Sequence, residues 1–242
     1  MKLITDKTFR AASSITASST KTGFPASNLA LYDPDVLWIA AAFSANVTLV
    51  FDLGAAVPIN QIWLNNANFL SVTLQANSAN SWSSPAVSKS VTLADDDVGI
   101  IKGFFDLSET SYRYVRIVIP TQSLVSGTVP QLGNVTIGTA VNLPVSAWTP
   151  DVIHEFNSFV ADNGSYTKSE KGKARHVFSA ALTAATKAEI DALPLKGWLV
   201  GVIYTELGSV ADSFMVYPPA GRRPRVRSQI DCDIEYVLEE LA

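Results

Sequence analysis

Cysteine occurs once in the 242 residues, at Cys232, and histidine twice, at His154 and His176. A single thiol excludes an internal disulfide, a thiolate metal site and a Cys-x-x-Cys redox pair within one chain. His154, His176 and Cys232 share no zinc-ligand spacing, and zinc needs three or four protein ligands in the usual sites. His154 and Glu155 are neighbours on an expected strand, so their side chains take opposite faces. A Gly-x-Ser-x-Gly elbow, a P-loop and a dinucleotide fingerprint are all missing. No carboxylate pair stands out for glycoside hydrolysis. The expectation is a non-enzyme that uses no cofactor and no metal.

Long apolar runs are missing too. None approaches the roughly 20 residues that span a bilayer, and the opening MKLITDKTFR lacks a signal peptide's apolar stretch. Synthesis in a cytosol is expected, with exit by lysis or within a larger particle. Charge is sparse, at 17% of residues with a net −4 and a pI near 5.2. No global field therefore favours nucleic acid or an anionic membrane as partner. What the chain does have is apolar material, 48% of residues at a mean hydropathy of +0.20. That suffices for one large or two modest domains with real cores. The sequons at Asn46, Asn134 and Asn163 read as chance in a chain rich in Ser, Thr and Asn.

From residue 13 to about 140, short β-branched or aromatic runs alternate with Gly, Pro, Asn, Asp and Ser. In Val47–Gly54 the residues Val47, Leu49, Phe51 and Leu53 share one face, and Thr48, Val50 and Asp52 the other. Ile59–Leu64, Val72–Asn77, Lys89–Leu93, Tyr112–Pro120 and Gly133–Gly138 continue the series. Within Tyr112–Pro120, Val115, Ile117 and Ile119 oppose Tyr114, Arg116 and Val118. Many short strands without a convincing helix predict a two-sheet sandwich or jelly roll.

The ordered phrases FPASNLALYDPDVLW, VTLVFDLG, INQIWL, NSANSW and YRYVRI resemble the discoidin or coagulation-factor type C family, which is galactose-binding-like. The resemblance covers about residues 10–140 and implies an eight-stranded antiparallel jelly roll. Such domains often bind sugars, and sometimes membranes, through loops at one end. This chain departs from the family at Asp33-Pro34-Asp35, where a glycine is replaced, and in lacking the end-stapling disulfide. By the resemblance Pro25 directs the chain, Asn28 caps or turns, Leu29 and Leu31 plug the sandwich end, and Trp38 and Trp82 pack. Asp33 and Asp35 are candidate ligand residues and could offer carboxylates to calcium, or they could simply form a turn. Asp95, Asp96 and Asp97 are open to the same two readings. Trp63 points away from Ile62 and Leu64, to cover another element, to sit in an interface or to stack on a sugar.

Asn142–Asp151 carries two prolines and reads as a linker, giving domains 1–144 and 145–242. The second is expected to hold strands at Val152–Val160, Ala174–Thr183 and Gly197–Glu206. A short helix is expected over Thr186–Leu193, with a Thr186/Glu189 capping box and Pro194 beyond it. A long hairpin follows, whose return arm places Val226, Ser228, Ile230, Cys232, Ile234, Tyr236 and Leu238 on one face. Cys232 reads as a small core residue. This order of elements resembles the tail-tube-type domain of distal tail and baseplate proteins of long-tailed phages. The resemblance implies a virion role at the tail tip, a homo-oligomeric ring, contacts with other tail proteins, and a host-surface glycan as a further partner. Arg222, Arg223, Arg225 and Arg227 crowd the hairpin tip. They could be solvated, bind phosphate, or meet a neighbouring subunit's carboxylates.

Overall fold

The computed structural model describes residues 2–5, 14–31, 33, 35–95, 100–142, 145–153, 156–160, 166–170, 175–182, 201–204, 213–217, 225–226 and 234–240. Two units are formed, one from Lys2–Val141 with Gly201–Ser213, the other from Asn142–Val200 with Phe214–Ala242. Both are antiparallel β structure, as expected from the sequence.

In the first unit the strands are β1 (Lys2–Thr5), β2 (Ser14–Ala17), β3 (Trp38–Ile39), β4 (Val47–Ala67) and β5 (Ser71–Asn77). They continue with β6 (Val87–Thr92), β7 (Ala94–Asp95), β8 (Ile101–Ile119), β9 (Gln131–Gly138) and β10 (Ala140–Asn142). Strands β2 to β9 make one eight-stranded sheet that folds on itself. The fold depends on β4 and β8, which are long enough to serve both layers. Residues 47–52 of β4 pair with 114–119 of β8, flanked by β2 on one side and by β5 and β6 on the other. Beyond a register shift between Asp52 and Val57, β4 continues between the early part of β8 and β9. Gly54 lies in that shift with φ 78, a left-handed conformation cheap only for glycine. Its N–H donates to Asp52 Oδ1 at 2.9 Å.

Val47, Leu49, Phe51 and Leu53 are buried, as are Val115, Ile117 and Ile119, and the two faces meet in one core. The second layer supplies Ile62, Leu64, Ile101, Phe105, Leu132, Val135 and Ile137 to it. A Cβ at Gly103 would lie 2.3 Å from Phe105 Cζ and 2.6 Å from Leu93 Cδ2, so the ring occupies the space a side chain would need.

Several expectations are corrected. The segments at Val47–Gly54 and Ile59–Leu64 are one bent strand, because a bulge rather than a loop joins them. Residues 101–111 are also strand. Leu31 is 44% exposed and plugs nothing, while Leu29 is fully buried. In addition β1 pairs antiparallel with β15 (Gly201–Tyr204), matching Lys2 with Tyr204 and Thr5 with Gly201.

The second unit contains β11 (Val145–Ile153), β12 (Phe156–Val160), β13 (Tyr166–Glu170), β14 (Arg175–Leu182), β16 (Ser213–Tyr217), β17 (Arg225–Val226) and β18 (Ile234–Glu240). Its sheet runs β16-β18-β14-β11, and β12 pairs with β13. Most of the segment read as a linker is strand β11, matched to β14 from Val145↔Leu182 to Ile153↔Arg175. The return arm is not one continuous strand. Arg225 lies opposite Glu235 and Val226 opposite Ile234, so β17 and β18 are two strands paired antiparallel. The expected helix at Thr186–Leu193 and Cys232 lie outside the described residues.

Candidate functional site

The loop from Pro25 to Trp38 is built to hold itself together. Pro25 precedes a five-residue 3-10 helix, Ala26–Ala30, with φ −67 already fixed by its ring. Asn28 Nδ2 donates to the Leu37 carbonyl at 2.8 Å. Trp38 is fully buried in the core, as the packing reading expects. Asp33 Oδ1 accepts the Asp35 N–H at 2.9 Å, the hydrogen bond of an Asx turn. Asp33 and Asp35 thus meet in one exposed turn. Trp63 is elsewhere, on β4, on the face opposite Ile62 and Leu64 and only 1% exposed. Asp95 is exposed at the end of β7, and Asp96 and Asp97 lie outside the described residues. Among the described residues no group of three or more His, Cys, Asp or Glu could hold a metal ion. Arg222, Arg223 and Arg227 lie outside the described residues, and Arg225 is placed by backbone register only, opposite Glu235.

A different set of side chains converges on the outer face of the first layer. Strand pairing lines up Val50, Arg116, Gln75 and Ser88 in one row across β4, β8, β5 and β6. The adjacent row carries Asp52, Tyr114 and Asn77. Beyond Asn77 the chain turns through a loop that returns Trp82 to this face. That loop is pinned by Asn77 Nδ2 donating to the Ser81 carbonyl at 2.7 Å and by Trp82 Nε1 donating to Asn80 Oδ1 at 2.8 Å.

Arg116 is the centre of the cluster. Its guanidinium carbon lies 4.5 Å from the Trp82 ring centroid, a cation–π stack. Its Nε donates to Gln75 Oε1 at 2.7 Å, and Gln75 Nε2 donates in turn to Ser88 Oγ at 3.2 Å. Partial burial pushes the Arg116 pKa down from its ordinary value. Trp82, expected to pack, is instead a half-buried surface residue. On the neighbouring row Arg113 grips Asp52 through two bonds, Nε to Oδ1 at 2.8 Å and Nη2 to Oδ2 at 3.0 Å. The Arg113 guanidinium carbon also lies 5.0 Å from the Tyr114 ring centroid. The fork of Arg113 holds the Asp52 carboxyl below its ordinary pKa.

The face therefore carries amide and hydroxyl groups around a half-buried indole and a guanidinium. Such a surface suits a ligand with many hydroxyls and an apolar ring face. Alternation along β8 already placed Tyr114 and Arg116 outward. Their meeting with Gln75 and Trp82 is set by pairing between distant segments, which no local pattern reports.

No family model and no curated protein matches the chain. Solved structures with similar coordinates include the lectin domain of lectinolysin complexed with Lewis B antigen. It is 14% identical, with 54% of this chain and 95% of that one covered at a TM-score of 0.44. A Streptococcus pneumoniae fucose binding module is 14% identical, with 55% and 95% covered at a TM-score of 0.43. Chitosan-binding module 1 from a Paenibacillus sp. IK-5 chitosanase/glucanase is 21% identical, with 54% and 98% covered at a TM-score of 0.42. These are likenesses only, and the fold described above rests on strand register and burial.

Proposed function

We propose that the chain is a non-catalytic glycan-binding protein whose first unit holds its ligand on the Trp82–Arg116–Gln75 face. The observation that carries this reading is the Arg116 guanidinium stacked on Trp82 and tied to Gln75, on an outer sheet face of hydroxyls and amides. An indole beside amide and hydroxyl groups can meet the C–H face of a sugar while they bond its hydroxyls. Glycan-array screening of the full chain, followed by calorimetric titration, tests the reading. Trp82→Ala should weaken binding by about tenfold or more, as expected for an aromatic anchor. Unchanged affinity in that variant would move the site elsewhere.

The setting we propose is the tail tip or baseplate of a long-tailed phage or prophage, with the second unit forming a ring. Support comes from the order of elements in the second half and from the arginines at 222, 223, 225 and 227 as a subunit contact. Electron microscopy of purified protein tests it. Rings that are lost in the Arg222→Ala, Arg223→Ala double variant support the setting. Dispersed particles that still bind glycan would assign the chain to free adhesins or enzyme accessory modules.

A further inference from the structure

Arg116 has an unusual environment for a partly buried cation. Its Nε is used by a neutral amide, Gln75 Oε1, and its flat side lies on Trp82. Among the described residues no carboxylate pairs with it. The carboxylate on the neighbouring row, Asp52, is held by both arms of Arg113. Strand pairing places Val50 and Gln75 on either side of Arg116, so its own row carries no negative charge.

A guanidinium whose Nε is fixed and whose plane is stacked is preorganised at its two Nη groups. Two parallel N–H donors match the two oxygens of a carboxylate or sulfate, and charge-assisted bonds of this kind are about twice as strong as neutral ones. We infer that the ligand of this face is an acidic glycan, whose carboxylate or sulfate is received by the Nη edge of Arg116 while Trp82 and Gln75 meet the sugar. This rests on the glycan-binding reading above and adds the charge of the ligand to it.

The test uses the full chain on an array that pairs uronate-, sialate- and sulfate-bearing glycans with neutral glycans of the same backbone. A galacturonan tetramer and its full methyl ester then provide a titration in which only the carboxylates change. Hits concentrated among the acidic members are expected, with the ester binding about tenfold or more weakly than the acid. Arg116→Gln should erase that difference, and Arg116→Lys, which keeps the charge without the fork, should retain only part of it. Circular dichroism of both variants checks that the fold is kept. Preferences within the acidic class separate carboxylate from sulfate as the natural source. Equal binding of acid and ester, or an acid preference that survives Arg116→Gln in a folded protein, overturns the inference and leaves the glycan reading standing. An array with no hits at all removes both.

Discussion

Asp52 sits where β4 leaves one layer for the other, accepting from Gly54 N–H and from both arms of Arg113. The folded protein therefore favours its ionised form, and its pKa falls below the unfolded value of about 3.9. A lowered folded pKa contributes stability that is fully present above the unfolded value and is lost as pH falls through the folded one. The wild-type Tm should drop more steeply than that of Asp52→Asn as pH is lowered from 5 to about 2, and the two should converge at the acid end. Thermal melts across that range check it, and a gap that stays constant to the lowest pH would show that Arg113 does not couple to this carboxyl. Both partners are partly exposed, so added salt should shrink the gap at neutral pH.

At the scale of elements, Asn68 shows how one buried amide shapes a loop. It donates through Nδ2 to the Ser126 and Val129 carbonyls at 2.6 and 2.9 Å, and its Oδ1 accepts the Gln131 N–H at 2.9 Å. The turn after β8 is thereby tied to the end of β4, and Gln122 adds bonds to Leu70, Ser71 and Pro120. Asn68→Ala should cost roughly 1–3 kcal/mol, because partners of a buried amide are left unmade. It should also open residues 121–130 to protease. Urea unfolding and limited proteolysis measure both, and a loop equally resistant in the variant would assign its order to Gln122 instead.

Period-two burial explains which elements the sequence disclosed. Val47 to Leu53 and Val115 to Ile119 each bury one face only, so their alternation is visible in the chain. Gln61, Ile62, Trp63 and Leu64 are all buried, and a strand covered on both faces writes no alternation. The stretch Ile101–Ser111 hides its strand for a second reason, since Gly103 and a run of polar residues interrupt the β-branched pattern. Trp38 was legible as core through the family resemblance of the loop leading to it. The Arg116–Gln75 contact was not, as its partners are 41 positions apart.

On the scale of the molecule, among the described residues the buried members of the main core cluster lie between Ala26 and Ile137, with Ile15 and Ala17 packed against it. A fragment of residues 14–142 should therefore fold and melt cooperatively without β1, β15 or the second unit. Soluble expression and calorimetry of that fragment check it. Aggregation of the fragment alongside a stable full chain would mean that the sandwich needs the β1–β15 ladder to cover it. That ladder joins Lys2–Thr5 to Gly201–Tyr204. Strand β1 must thus wait for a partner made about 200 residues later. At about 5–20 residues per second, translation leaves β1 without β15 for roughly 10–40 s. During that interval the edge of β1 that β15 will take is open to any strand edge, a nascent neighbour on the same polysome included.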